Sequence, residues 1–141
     1  MRFLNTRLWV TVNGVLFTLL GLGNAASAET VSSSAWPDAS AGELTIGTGL
    51  ELVWGINLVL LGVTTILIAW LTQGSARARA GAVLILGTIA VQVVTILSLS
   101  PLGYSSDAQA SGLAVLVPIV AGLVALVGLV ACVTRWNEKS N

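Results

Sequence analysis

Four stretches of the chain, residues 8–25, 50–71, 80–99 and 112–133, are predominantly apolar and hold one charged side chain between them, Glu51. At 1.5 Å per residue, each of them reaches across a hydrocarbon core of about 30 Å. Together they take up more than half of the 141-residue chain. Charged residues make up 9% of it, against about 25% in a soluble domain, and the mean hydropathy is +0.93. The expected fold is therefore all-α: a polytopic integral membrane four-helix bundle forming one transmembrane domain over residues 1–141. The outer loops are expected at 26–49 and 100–111, and the inner loop at 72–79. The first run is the weakest of the four, short and interrupted by Thr11, Asn13 and Gly14.

The loops carry the sign of the orientation. All the basic residues fall before the first run (Arg2, Arg7), between the second and third (Arg77, Arg79), or after the fourth (Arg135, Lys139). Those segments alternate along the chain, so they share one side, which the positive-inside rule makes cytoplasmic. Glu29, Asp38, Glu43, Glu51 and Asp107 fall on the other side, and Glu138 alone stays with the bases. Trp9, Trp70 and Trp136 lie toward the basic side and Trp36, Trp54 and Tyr104 toward the acidic one, as interfacial aromatic belts do. The reading is a membrane protein of a bacterial-type inner membrane with both termini in the cytoplasm.

Ala26-Ser27-Ala28 opens a second reading of the N-terminus. Two arginines, an apolar run and a small-x-small site are the features of a secretory leader, and cleavage after Ala28 would leave three helices. Retention of the first helix is the reading adopted, because three spans would have to bury their polar stripes with one neighbour fewer.

Composition removes several function classes. With no His, one Cys (Cys132) and Met1 as the only Met, the chain has no residues for His- or Met-ligated haem, an intrachain disulfide or a Cys-based metal cluster. A net charge of zero provides no basic face for nucleic acid. Ser32-Ser33-Ser34 has no base beside it, and the glycine spacings follow no strand that would make them a phosphate loop. No catalytic, cofactor-binding or metal residue is expected, and the chain is read as non-enzymatic.

What remains is periodic. In the fourth run Ser111, Ala114, Pro118, Ala121, Ala125, Gly128 and Cys132 recur at steps of three and four, placing them on one helix face. Small residues let membrane helices approach closely, so this is a packing seam or a face for a partner. Pro118 removes one intrahelical hydrogen bond and should bend the helix. The second run has a similar line, Gly47, Glu51, Gly55, Leu58, Gly62, Thr65 and Ala69. The third has Gly81, Thr88, Gln92 and Thr95, and the first Asn13, Phe17, Gly21 and Asn24. The candidate intramembrane polar contacts are Asn57, Gln92, Glu51 and Asn13. Asn57 and Gln92 are expected to lie level, about 10 Å below the outer surface, as a mutual clip or as the lining of a ligand or ion path. Glu51, at the edge of its span, reads as a solvated rim carboxylate.

The layout resembles that of the small four-helix DoxX-like bacterial membrane proteins. The resemblance rests on a glycine-bearing first helix ("VNGVLFTLLGLG"), a long outer loop, a tight Arg-containing inner loop and a final apolar helix. It is one of topology, brings over no site residues, and implies a membrane protein, some relatives of which work with redox partners; the single Cys gives no pair for such a role here. The expected function is an accessory or scaffold subunit of a larger membrane complex or a homo-oligomer. Its partners would be lipid and another membrane subunit or a second copy, and a small transport or permeation module is the alternative.

Overall fold

The computed structural model describes residues 4–104 and 113–137, with side chains from 116 onward in the second segment. Arg2, Asp107, Ser111, Glu138 and Lys139, the side chain of Ala114 and most of the expected second outer loop lie outside the described residues. Among the described residues there is no strand. The elements are α1 (Thr6–Ala26), α2 (Ala28–Ala35), α3 (Ala41–Leu71), α4 (Gly74–Leu99), a 3-10 turn (Ser100–Leu102) and α5 (Leu113–Thr134). Four helices are long and apolar enough to cross a membrane: Thr6–Ala26, Ala41–Leu71, Gly74–Leu102 and Leu116–Thr134.

The expected loop over 26–49 is corrected. Only Ser27 interrupts the helix between α1 and α2, and α3 begins at Ala41 rather than at residue 50. The start of α3 is fixed by a capping box. The Ser40 hydroxyl accepts from the Glu43 amide, and the Glu43 carboxylate accepts from the Ser40 N–H at 2.7 Å. Two otherwise unpaired amides are satisfied this way. At 31 residues, α3 is about 46 Å long and exceeds the hydrocarbon thickness, so its first turns need no lipid. The inner loop likewise shrinks from 72–79 to Thr72 and Gln73, because α4 starts at Gly74. The Arg77 guanidinium closes this turn by donating to the Thr72 carbonyl.

The most extensive packing in the molecule is between α1 and α3, and glycines set its geometry. A Cβ on Gly14 would lie 2.7 Å from the Gly62 carbonyl oxygen, and one on Gly62 would lie 2.6 Å from the Gly14 carbonyl oxygen. Gly21 and Gly55 repeat the arrangement at 2.6 and 2.7 Å. These two reciprocal pairs, one heptad apart on each helix, hold α1 and α3 antiparallel with their backbones touching. The seven residues buried on α3 are Gly47, Glu51, Gly55, Leu58, Gly62, Thr65 and Ala69, a single face at alternating steps of three and four.

α1 is stitched to α5 by side-chain bonds to backbone. Thr6 Oγ1 donates to the Ala131 carbonyl at 3.1 Å and Asn13 Nδ2 to the Val124 carbonyl at 3.2 Å, again one heptad apart on both helices. Around them Val10, Ala69, Ala78, Ala82 and Cys132 form the buried core. The expected seam on the last helix is divided. Ala125, Gly128 and Cys132 are buried, Ala121 is half-buried and Pro118 is exposed, so among its described residues the half nearer the C-terminus packs inside this chain.

Charge and aromatic contacts divide the molecule into two ends. At one, the Arg7 guanidinium lies over the Trp70 ring, 3.7 Å from its centroid, and Arg79 over Trp136 at 5.7 Å. Trp70 Nε1 also donates to Thr11 Oγ1 at 3.2 Å. Glu29, Asp38, Glu43 and Glu51 lie toward the other end, where α2 covers the first turns of α3.

Candidate polar site at the acidic end

The site is assembled by the short elements that flank the spans. Ser32 on α2 is buried and its hydroxyl donates to the Leu44 carbonyl at 3.4 Å. A Cβ on Gly47 would collide with that hydroxyl and lie 3.2 Å from the Trp36 ring. Gly47 therefore lets α2 and the Trp36 that ends it settle on α3. From the other side, Gly103 takes a left-handed conformation (φ 89°) after the 3-10 turn, which favours glycine. The chain then turns back, with the Tyr104 N–H donating to the Leu99 carbonyl at 3.3 Å. Trp36 and Tyr104 meet edge to face, ring centroids 5.1 Å apart at 78°.

Beneath them lies a cavity of about 160 Å³. Its polar lining is Glu51, Asn24, Gln92 and Thr95, and its aromatic lining is Trp36, Trp54 and Tyr104. Asn24 on α1 orients Glu51, donating from Nδ2 to the Glu51 carbonyl oxygen at 2.9 Å and to Oε2 at 3.1 Å. Burial pushes the Tyr104 phenol up in pKa, and the Glu51 carboxylate nearby pushes it the same way. On the far side of Trp36 and Leu50 is a wider crevice of about 440 Å³ edged by Asp38, Glu43 and Leu102.

The expectation for Glu51 is corrected: the residue is 8% exposed, not a solvated rim carboxylate. The cause is the earlier start of α3. Glu51 sits in its third turn, on the face toward α1, with Trp36 and Tyr104 lining the same cavity. The expected Asn57–Gln92 pairing does not form. Asn57 is exposed and its amide donates to its own Val53 carbonyl at 2.9 Å. With 3.6 residues per turn, Asn57 points about 120° away from the centre of the face that α3 buries. Gln92 is half-buried and lines the cavity.

Asn13 occupies a separate position, with 0% exposure where α1, α4 and α5 meet. Its amide nitrogen donates to the Trp9 carbonyl at 2.9 Å and to that of Val124, while Oδ1 has no hydrogen-bond partner. Thr88 Oγ1 on α4 is also buried without one. A Cβ on Gly128 would collide with the Asn13 amide and lie 3.0 Å from Ile85 Cδ1, so this junction has no spare volume. Asn24, Thr95 and the aromatic wall were not among the candidate polar contacts. Their signal is spacing: Asn24 follows Gly21 by three residues, and Thr95 follows Gln92 by three.

Among the described residues no group of three or more His, Cys, Asp or Glu is placed to hold a metal ion. Cys132 is a buried free thiol. Compared with protein-family models, curated proteins and solved structures, the chain matches none.

Proposed function

We propose that the chain is a non-enzymatic integral membrane protein that serves as an accessory or scaffold subunit, in a larger membrane complex or as a homo-oligomer. The observation that supports this most is the use of glycine. Gly14, Gly21, Gly55, Gly62, Gly81 and Gly128 all have a neighbouring side chain or backbone where a Cβ would stand. Gly87 on α4 and Gly122 on α5 are also within spans, are exposed, and have nothing within 4 Å of that position. Glycine costs a helix about 1 kcal/mol relative to alanine, and membrane helices recover this where another backbone approaches. Pro118 and the half-buried Ala121 extend that uncovered surface along α5.

In this reading the protein lies in a bacterial-type inner membrane with both termini cytoplasmic. The Arg–Trp contacts of one end and the carboxylates of the other support that orientation under the positive-inside rule. The permeation alternative drew on Asn57, Gln92 and Glu51 facing a shared cavity; Asn57 points outward, which takes away one of its three groups, while Gln92 and Glu51 line one cavity. In this reading α1 is a retained span, which the contacts of Gly14 and Gly21 with α3 and the bonds of Thr6 and Asn13 to α5 support.

The test is assembly after extraction in mild detergent. The native protein should run as a complex or homo-oligomer, and Gly122→Leu or Gly87→Leu should release it without lowering its melting temperature. A wild-type monomer with no co-purifying partner would contradict the proposal.

A further inference from the structure

The cavity at the acidic end has a composition that the accessory reading does not use. We infer that it is a binding site for a small organic ammonium group, with Glu51 as its counter-ion and Trp36, Trp54 and Tyr104 as its aromatic wall. Glu51 is more than nine-tenths buried, and its only hydrogen-bond donor among the described residues is the neutral Asn24 amide. The described arginines that contact aromatic rings, Arg7 and Arg79, are engaged at the opposite end of the helices. A buried carboxylate is costly unless a positive charge or several donors compensate it, and a ligand cation would supply the missing charge.

The size and walls of the cavity specify which cation. About 160 Å³ is the liquid volume of about five waters, more than a bare metal ion needs and enough for a methylated or primary ammonium head. Indole and phenol faces attract such a cation through the ring quadrupole, most strongly when water is excluded. Gln92 and Thr95 offer an amide oxygen and a hydroxyl for an N–H or a neighbouring hydroxyl on the ligand. The apolar lining, Leu50, Ile96 and Leu99, suits an amine held at the membrane surface. The ammonium can come from a free amine or from the head group of a phospholipid, and the recognition chemistry is the same.

The test uses the full chain in nanodiscs of phosphatidylglycerol alone, titrated with tetramethylammonium chloride and with ethanolamine hydrochloride while tryptophan fluorescence is read. A saturable change is expected with at least one of them and not with sodium chloride at equal ionic strength. Glu51→Gln should weaken the apparent affinity roughly tenfold or more, as removal of one partner of a buried charge pair does. Tyr104→Leu, a change at the cavity wall outside the spans, should weaken it too, which keeps the test open if Glu51→Gln does not fold. Nanodiscs that contain phosphatidylethanolamine separate the sources: a titration displaced to higher amine concentration identifies a lipid head group, and an unchanged one identifies a free amine. No saturable response in phosphatidylglycerol discs overturns the inference. So does an equal response to sodium, or undiminished affinity in a folded variant.

Discussion

Gly62→Leu is expected to destroy the packing of α1 on α3. A Cβ at this position would stand 2.6 Å from the Gly14 carbonyl oxygen and would also collide with Thr18. The obstructing groups include backbone, which cannot rotate away as the tip of a side chain does. Relief requires the two helices to separate over the whole stretch in which Gly14, Gly21, Gly55 and Gly62 interlock. Overpacking of an interior costs about 1–3 kcal/mol when side chains can adjust, and this case lies at or beyond the upper figure. The purified variant should melt at least about 10 °C below the wild type, taking a few degrees per kcal/mol, or fail to accumulate in the membrane. Gly23→Leu serves as the control, because Gly23 is an exposed glycine of α1 with nothing within 4 Å of a Cβ.

Gly128→Leu is expected to destabilise the fold by a different route. Its new side chain would displace the Asn13 amide, whose nitrogen bonds the Val124 carbonyl at 3.2 Å, and would crowd Ile85. An amide can move where a backbone cannot, so the penalty combines the lost interhelical bond, about 0.6–2 kcal/mol, with overpacking of about 1–3 kcal/mol. Leu126→Phe adds bulk two residues away on the exposed side, where Leu126 is 58% exposed, and should be tolerated. Thermal melting in detergent distinguishes the two. The loss should appear in the isolated protein, because this half of the α5 seam is used internally. A Gly128→Leu protein that melts like the wild type would show that the junction can open.

The parts of this arrangement that were legible in the sequence are those in which one helix alone carries the information. The line Gly47, Glu51, Gly55, Leu58, Gly62, Thr65 and Ala69 could be drawn from spacing, and it is the buried set of α3. Small residues at helical period have few other uses inside lipid. Gly14 was harder to read: on its own helix it interrupts an apolar run, and its importance comes from Gly62, which is distant in sequence. The segment 26–49 reads as loop because α2 and the first turns of α3 are polar and rich in Ser, Ala and Gly. Hydropathy finds helices that lipid requires and passes over those that water permits. The signal is Ser40-Ala-Gly-Glu43, a capping box, and a helix that starts there carries Glu51 in its third turn rather than at its first residues. Asn57 failed for a related reason. Residue count along a helix gives depth, but direction around the helix decides whether two amides meet.

The most direct test of the account is whether α1 belongs to the working protein. In the structure α1 supplies one half of each glycine pair with α3 and both side-chain bonds to α5, while Ala26-Ser27-Ala28 sits at a junction between two helices where Ala28 is buried. Intact-mass and N-terminal analysis of the protein extracted from its native membrane should find residues 6–26 still attached to the rest of the chain. A mature N-terminus at Glu29, with the remaining three spans folded and stable, would contradict it.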